Sequence, residues 1–380
     1  MDLMSLDKIF KPQRIAILGL SPNPKSVSAK ILANLVGGGF RGVVYPVSPT
    51  LEAVMGIPCF PNVAALPKTP DLGIIAAPAA QVAGLVRECG EAGVRGLIIV
   101  SSGFRETGPA GLALERSVLA EARRFDGLRI LGPNCLGIIS PARSLNASFA
   151  GAMPRPGHVA FVSQSGALCT SVLDWAVEEK LGFSHFVSTG NMLDVDFGDL
   201  IDYLGEDEET KSIILYIESI GDARKFMTAA RAFARMKPII AYKAGRFPES
   251  AAAAASHTGA LAGEDAVYDA AFQRMGLVRV FNIGEIFDCA DLVGIGRLAA
   301  EPGRRAAEYA VLVQDRWQDR GLGGLLTDYC LEIAKRWGIR TITAITTTDN
   351  PRMIAVFEKR GFRIVNDLES SLVEVSKDLL

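Results

Sequence analysis

Apolar runs of strand length alternate with amphipathic stretches along the first part of the chain. The runs predict buried strands at residues 14–18, 42–47, 72–76, 96–100 and 129–131. The stretches between them predict helices at residues 26–36, 81–92 and 111–125. Alternating strands and helices are typical of a parallel sheet with crossover helices. The pattern therefore predicts a Rossmann-like α/β domain at residues 1–140.

A second alternation follows residues 143–156, where small residues and prolines predict a loop. Further strands are expected at residues 158–162, 212–217, 238–243 and 277–280. They predict a second doubly wound α/β domain at residues 150–290. The pattern changes again near residue 293, and a smaller α/β domain is expected at residues 293–380. Its predicted elements are strands at 308–313 and 341–346 and helices at 325–337 and 353–360.

Composition narrows the class of protein. The 380 residues are 49% hydrophobic, enough for two or three domains that each have a core. A net charge of -2 without basic runs predicts no binding to nucleic acid or to a membrane surface. Six scattered cysteines form no C-x-x-C pair, and no apolar leader precedes the first strand. We therefore expect a cytoplasmic protein without a metal site or a transmembrane helix.

The turn after the first predicted strand is a candidate anion site. Ligands of doubly wound sheets bind at the carboxyl ends of the strands, and this turn runs from Gly19 to Ser26. Its backbone N–H groups, the Ser21 and Ser26 hydroxyls and the Lys25 ammonium are all available to an anion. The alternative is that the serines only cap the next helix. The later glycines of G-x-G-x-x-G are missing, and no acidic residue follows the second strand, so NAD is disfavoured.

The second domain contains a further candidate phosphate loop and a candidate nucleophile. Ser163, Gln164, Ser165 and Gly166 follow a strand and open a helix, where backbone N–H groups favour an anion. His257 lies among small residues, which leave room for a charged adduct on the imidazole. The alternative for this histidine is an ordinary solvated loop position.

These turns resemble the CoA-binding and ligase domains of the NDP-forming acyl-CoA synthetases and the succinyl-CoA synthetase alpha subunit. The resemblance covers residues 7–290 and includes the motifs at 45–49, 77–79, 101–104 and 132–137. It implies that CoA is bound by Gly19, Ser21, Lys25, Ser26, Pro46, Ser48, Pro78 and Asn134. Ser48 stands where many relatives carry asparagine.

The same resemblance implies a flavodoxin-like fold for the second domain and gives roles to its residues. The loop with Ser163, Ser165 and Gly166 would hold a phosphate on His257, and the Glu218 carboxylate would orient this histidine. The family reaction converts acyl-CoA and phosphate to acyl phosphate and CoA, then passes the phosphoryl group through the histidine to a nucleoside diphosphate. The chain has no Walker A sequence and no room for an ATP-grasp module after residue 290. ADP or ATP is therefore expected to bind only through an ATP-grasp partner. The sequence does not indicate which acyl group the protein accepts. His158 and His185, in strand-like settings, are interpreted as structural.

The C-terminal segment resembles motif A of the GNAT acetyltransferases. Gln318, Gly321 and Gly323 have the spacing Q-x-x-G-x-G, and Gly324 follows. In that family such a loop binds the pyrophosphate of acetyl-CoA at a helix N-terminus. Residues 353–362, preceded by Asn350, resemble the closing helix and strand. The opening elements of the fold are absent, and Phe357 stands where many relatives carry a tyrosine acid, so a partial GNAT domain is predicted.

Two hypotheses from different classes follow. The first is an alpha-type acyl-CoA ligase with a phosphohistidine, an ATP-grasp partner and a GNAT segment. The second is a CoA- or acetyl-CoA-responsive protein N-acetyltransferase or regulatory module, with a protein lysine as acceptor and a non-catalytic synthetase region. The order of domains is like that of bacterial protein lysine acetyltransferases with the middle removed between Asp291 and Val293. A homo-oligomer is one way to cover the edge of a truncated sheet. His257 and Glu218 together favour the ligase.

Overall fold

The computed structural model describes residues 6–245, 265–281, 285, 294–300, 305–313, 322–367 and 371–379. The chain divides into two compact units, Met1–Phe233 with Ile239–Phe287, and Ala234–Pro238 with Asp288–Leu380. The helices are α1 (Asp7–Phe10), α2 (Val27–Gly37), α3 (Ala79–Glu91), α4 (Pro109–Ala122), α5 (Gly166–Glu178), α6 (Phe197–Glu206), α7 (Ala223–Phe233), α8 (Asp265–Met275), α9 (Leu322–Arg336) and α10 (Pro351–Glu358). Within these described ranges, no helix is long and apolar enough to span a bilayer.

The strands number nineteen within the described residues. They are β1 (Arg14–Leu18), β2 (Val43–Val47), β3 (Ala53–Val54), β4 (Ile57–Pro58), β5 (Leu72–Ile75), β6 (Gly96–Ile99), β7 (Arg129–Leu131), β8 (Gly137–Ser140), β9 (Leu145–Ser148), β10 (Arg155–Ser163), β11 (Gly182–Ser188), β12 (Ser212–Ile217), β13 (Ile239–Lys243), β14 (Val278–Val280), β15 (Gly294–Ala300), β16 (Ala306–Val313), β17 (Thr341–Thr347), β18 (Arg363–Asp367) and β19 (Leu372–Asp378).

The first sheet is parallel and has the order β2-β1-β5-β6-β7. Helices α2, α3 and α4 connect its strands, as the alternation of apolar and amphipathic segments predicts. Its central strands are buried along their length, and Val82 and Val86 of α3 and Val118 of α4 pack on them. Chain order departs from sheet order beside β1, which is where doubly wound sheets open a crevice for ligands.

The second sheet has the order β14-β13-β12-β10-β11-β8-β9, with a parallel part from β14 to β11 and antiparallel β8 and β9. The prediction of a loop at residues 143–156 is wrong in part, because β9 and the start of β10 lie there. Leu145 and Ala147 of β9 are fully buried. The polar residues of this strand, Asn146 and Ser148, are also buried, and Ser148 Oγ donates to Asn146 Oδ1 at 2.6 Å. Because two of its four residues are polar, a prediction from hydrophobicity does not recognise this strand.

The segment after β11 joins the two sheets of the first unit. Val195 N–H donates to Ile130 O at 3.0 Å, and Leu193 N–H donates to Gly132 O at 2.9 Å. The side chain of Asp194 accepts from Arg129 Nε at 2.9 Å. These bonds hold the turn after β11 against the end of β7, so loops from both sheets meet in one place.

The second unit has a five-stranded sheet in the order β15-β16-β17-β19-β18. Cys330 and Ala334 of α9 and Phe357 of α10 belong to its buried core. Helix α9 begins at Leu322, three residues before the predicted start, and β16 begins at Ala306 rather than at 308. The strands β16 and β17 pair in parallel only from Ala306 to Glu308, although β16 continues to Val313.

Candidate functional site

Gly19 begins the turn after β1 with a backbone that only glycine tolerates well. Its φ is +82°, and a Cβ there would lie 2.6 Å from the carbonyl oxygen of Ala76. Ala76 follows β5, the neighbouring strand. The missing side chain thus lets the turns after β1 and β5 lie side by side at the carboxyl edge of the sheet.

The rest of this turn is built by short polar side chains. Ser21 Oγ accepts from Asn23 N–H at 3.2 Å, and Ser26 Oγ caps α2 by accepting from Ala29 N–H at 3.2 Å. Lys25 is exposed. These contacts agree with the helix-capping alternative for Ser26. The Lys25 ammonium and the N-terminus of α2 are the groups positioned to attract an anion from solvent.

Pro46 and Ser48 lie at the end of the edge strand β2. An edge strand accommodates proline because one side of its backbone has no partner strand, and Pro46 O accepts from Phe60 N–H at 2.9 Å. Ser48 is buried, and its Oγ accepts from Leu51 N–H at 3.3 Å. In this structure the Ser48 hydroxyl therefore shapes its own turn.

Ser101 ties together three turns at the same edge. Its hydroxyl accepts from Ala77 N–H at 3.0 Å, and its carbonyl oxygen accepts from Asn134 N–H at 2.9 Å. Pro78, at the start of α3, and Asn134 are both exposed. Burial raises the pKa of the neighbouring Cys135 thiol to about 12, so this thiol stays protonated at neutral pH. The residues predicted to bind CoA thus lie on turns that follow strands of one parallel sheet.

The phosphate loop is stabilised by its two serines. Ser163 ends β10 and is 0% exposed, and its Oγ accepts from Ser165 N–H at 3.0 Å. Ser165 Oγ caps α5 by accepting from Leu168 N–H at 3.2 Å. Gly166 is the first residue of α5, where N–H groups lack intrahelical acceptors. Ser163 therefore supports the loop from inside, while Ser165 and Gly166 lie at its partly exposed surface.

Glu218 directly follows β12 and is partly buried beside this loop. Its N–H donates to Gln164 Oε1 at 2.6 Å, and Ser219 N–H donates to the same oxygen at 3.0 Å. The Gln164 backbone N–H donates to Tyr216 O at 3.3 Å. The structure thus brings the loop and Glu218 together through Gln164. The sequence prediction assigned Gln164 no role, although its place between the two serines was the available signal.

Lys243 lies at the end of β13. It is 4% exposed, donates from Nζ to Ala244 O, and its Nζ lies 4.8 Å from the centroid of the Tyr268 ring. Burial lowers the pKa of Lys243, and the charges of Asp265 and Glu218 oppose this effect. A buried cation therefore lies on the strand next to the one that ends at Glu218.

Asn191 connects the turn after β11 with the first domain. Its Nδ2 donates to Glu106 Oε2 at 2.9 Å and to Glu115 Oε2 at 2.8 Å. The other Glu106 oxygen accepts from Gly103 N–H at 2.7 Å and from Phe104 N–H at 3.0 Å. Burial alone would raise the pKa of Glu106, but the bonds from Asn191, Phe104 and Gly103 outweigh it and hold this pKa below 4.5.

The three histidines fall in different settings. His257 lies outside the described residues, so its position relative to Glu218 stays a prediction. His158 Nδ1 lies 2.8 Å from Glu209 O, and the buried His185 has Nδ1 2.8 Å from Ser140 Oγ. Both described histidines thus have partners in the structure, in line with a structural role.

In the second unit, Gly323 and Gly324 form the first turn of α9, while Gln318 and Gly321 lie outside the described residues. A Cβ on Gly324 would lie 2.7 Å from the Arg360 guanidinium, which forms two 2.7 Å bonds with Asp328. Asn350 caps α10 by accepting from Met353 N–H at 3.1 Å, so the Asn350 side chain has a local structural role here.

Phe357 belongs to the core of the second unit. It is 2% exposed and packs against Phe362 and Tyr309, with ring centroids 5.0 and 6.2 Å away. Tyr309 OH lies 2.8 Å from Thr327 Oγ1, and burial raises the pKa of this tyrosine. Position 357 therefore provides no group that transfers a proton.

Three family models match the chain. The CoA binding domain matches residues 13–141, and the succinyl-CoA ligase like flavodoxin domain matches residues 156–293. The acetyltransferase (GNAT) family matches residues 257–362, so the last two matches overlap between residues 257 and 293. These matches confirm the predicted fold class.

Several known proteins match three fifths or more of the chain. The alpha subunit of acetate–CoA ligase [ADP-forming] I from Pyrococcus furiosus is 40% identical over 291 residues, 76% of this chain and 63% of that subunit. Subunit alpha 1 of succinate–CoA ligase [ADP-forming] from Archaeoglobus fulgidus is 31% identical over 238 residues, 61% of this chain and 78% of the subunit. A solved structure of the Ca. Korarchaeum cryptofilum dinucleotide forming acetyl-coenzyme A synthetase 1, with phosphate and ADP, has a TM-score of 0.72 and 38% identity over 79% of this chain and 64% of that one.

These matches give the class of protein: one with the CoA-binding and ligase domains of the succinyl-CoA synthetase type. The chain belongs to the family of ADP-forming acyl-CoA ligases, of which it has the alpha-type domains, and it also contains a GNAT domain. It spans less than two thirds of the length of the acetate–CoA ligase relatives that it matches.

Proposed function

We propose that this chain acts as the alpha-type part of an ADP-forming acyl-CoA ligase and forms a phosphohistidine at His257. The observation that supports this most is the joint placement of Glu218 and the Ser163–Gly166 loop at the carboxyl edge of one sheet. Gln164 bonds to the backbone of both elements. A carboxylate beside an anion-binding helix terminus is what a histidine needs to be oriented and then phosphorylated.

The proposed reaction has two chemical steps on this chain. A phosphate oxygen attacks the thioester carbonyl of acyl-CoA, a C–O bond forms, the C–S bond breaks, and CoA leaves as a thiolate that takes up a proton. A ring nitrogen of His257 then attacks phosphorus, and the acyl group leaves as a carboxylate. Glu218 would hold the opposite ring nitrogen and balance the positive charge of the phosphoimidazole.

Each domain has a separate part in this proposal. The turns at Gly19–Ser26, Pro46–Ser48, Pro78 and Asn134 would hold CoA, with Lys25 at a phosphate. Ser165 and Gly166 would receive the phosphate at the N-terminus of α5, while Ser163 keeps the loop in shape. Transfer of the phosphoryl group to ADP requires a nucleotide site, which we assign to an ATP-grasp partner.

Labelling with acetyl [32P]phosphate tests this function. The full chain should take up acid-labile, base-stable label, which His257→Ala abolishes and Glu218→Gln strongly reduces. Adding ADP and an ATP-grasp subunit of the family should discharge the label to ATP. A folded protein that binds CoA but takes up no label, with or without that subunit, would contradict the proposal and leave a CoA-responsive regulatory module.

A second candidate function belongs to the C-terminal unit. The diverging parallel strands β16 and β17 and the glycines at the start of α9 support acetyl-CoA binding there. This unit would then act as an acetyl-CoA-binding segment beside the ligase domains, or in the alternative as a protein N-acetyltransferase. The buried Phe357 favours binding over transfer.

A further inference from the structure

The side-chain amide of Gln164 is the feature from which we draw a new role. Its Oε1 accepts from the backbone N–H groups of Glu218 at 2.6 Å and Ser219 at 3.0 Å. Its Nε2 donates to Ser219 Oγ at 3.3 Å. One side chain of the phosphate loop thus makes three hydrogen bonds to the two residues that follow β12.

These bonds replace the sheet hydrogen bonds that end at the same point. The parallel pairing of β10 and β12 runs to Ser163 and Tyr216, and the Gln164 backbone N–H still donates to Tyr216 O. Beyond this pair of residues the two strands separate, because the Ser163–Gly166 loop leads into α5. Two successive N–H groups at a partly buried strand end would then lack acceptors, a costly arrangement. The side-chain oxygen of Gln164 supplies the acceptor for both of these N–H groups.

The neutral amide also suits the electrostatics of this position. An amide oxygen accepts the two N–H groups without bringing a second negative charge next to Glu218. A carboxylate at position 164 would repel both Glu218 and a phosphate at the adjacent helix terminus. The amide group therefore supplies the bonds and leaves the charge of the site to Glu218.

We propose that Gln164 is the positioning residue that fixes Glu218 relative to the Ser163–Gly166 loop. The role of Glu218 in the reaction rests on the proposed function, whereas the hold of Gln164 on the Glu218 backbone does not. Gln164 acts through Glu218 and is not itself expected to touch the phosphoryl group.

Two measurements on the full chain test this role. In Gln164→Met, which keeps the side-chain length but not the amide, hydrogen exchange of the Glu218 and Ser219 amides should speed up about 10-fold while the protein remains folded. Labelling by acetyl [32P]phosphate should slow by about 10-fold, the usual order for loss of a supporting partner. CoA affinity should not change, because the CoA turns lie on the other sheet.

A double-mutant cycle separates positioning from a general structural effect. If Gln164 acts through Glu218, Gln164→Met should add little to the loss already caused by Glu218→Gln. Gln273→Met is the matched control, because the Gln273 side chain is exposed on α8 and donates to Asp269 within its own helix. It should leave exchange and labelling unchanged. Should Gln164→Met not fold, the shorter Gln164→Asn takes its place.

The outcomes are distinct. Unchanged exchange at Glu218 and Ser219, or labelling losses that simply add, would overturn the role of Gln164. A wild-type chain that takes up no label would refute the proposed function instead, and the exchange measurement would then decide alone whether Gln164 holds Glu218.

Discussion

At the scale of single residues, amide side chains connect the loops of the candidate site. Gln164 joins the phosphate loop to the end of β12, and Asn191 joins the turn after β11 to Glu106 and Glu115 of the first domain. Amides suit this task because each offers both donors and an acceptor without adding charge. The arrangement of the loops of the candidate site thus depends on uncharged side chains.

The bonds on Glu106 predict a pH dependence of stability. Its pKa is below the ordinary 4.5 in the folded protein, so folding favours the ionised carboxylate. The stabilisation is therefore complete above about pH 4.5 and is lost as the pH falls through the lowered pKa. In Glu106→Gln this dependence disappears.

Urea unfolding of the wild type and Glu106→Gln between pH 3 and 7 measures this effect. The wild type should be more stable at pH 7 by about 1 kcal/mol, the typical value of a hydrogen bond to a charged group in a partly exposed setting, and the difference should shrink at acidic pH. Glu52→Gln, at an exposed position, is the control. A difference that stays constant with pH would contradict the expectation.

At the scale of elements, the turn between β1 and α2 decides which cofactor the first domain accepts. Gly19 supplies the close approach to β5, and the following residues offer hydroxyls and Lys25 instead of further glycines. The end of β2 offers Pro46 and Ser48 where a dinucleotide site needs an acidic residue. We therefore expect CoA, and not NAD, to bind here.

Calorimetric titration of the full chain with both ligands checks this expectation. Lys25→Ala should weaken CoA binding by about 1 to 3 kcal/mol if the ammonium meets a phosphate of CoA. Lys30→Ala, which changes an exposed lysine within α2, should have a smaller effect. Tight binding of NAD without a signal for CoA would refute the assignment of this turn.

At the scale of the whole molecule, the chain combines ligase domains with a GNAT segment. The matches to the ligase and GNAT families overlap from residue 257 to residue 293, and the first compact unit ends at residue 287. We propose the boundaries 1–140, 150–290 and 293–380 for the three domains. The strand β8 nevertheless pairs within the second sheet, although it lies in the first of these ranges.

The C-terminal unit is expected to bind acetyl-CoA without acetylating lysine at an appreciable rate. Phe357 is buried and has no acidic proton, so the leaving thiolate would lack a general acid at this position. Mass spectrometry of a lysine peptide incubated with acetyl-CoA and the full chain measures the transfer, with an active GNAT enzyme as positive control. Robust peptide acetylation would show that another group supplies the proton.

The fold class and the positions of the candidate loops could be predicted from the amino-acid sequence alone. Buried parallel strands need continuous apolar runs, and phosphate loops need glycine and hydroxyl residues after a strand, so both leave a local pattern. The resemblance to CoA ligases rests on such local patterns, and the family matches confirm it.

The side chains that hold these loops together became evident from the folded structure and not from the sequence. The strand β9 is polar in half of its residues and is buried because Asn146 and Ser148 satisfy each other. Gln164 and Glu218 are 54 residues apart, and Asn191 and Glu106 are 85 apart. Hydrogen bonds over such separations depend on how the strands are ordered in the sheet, which no local pattern in the sequence encodes.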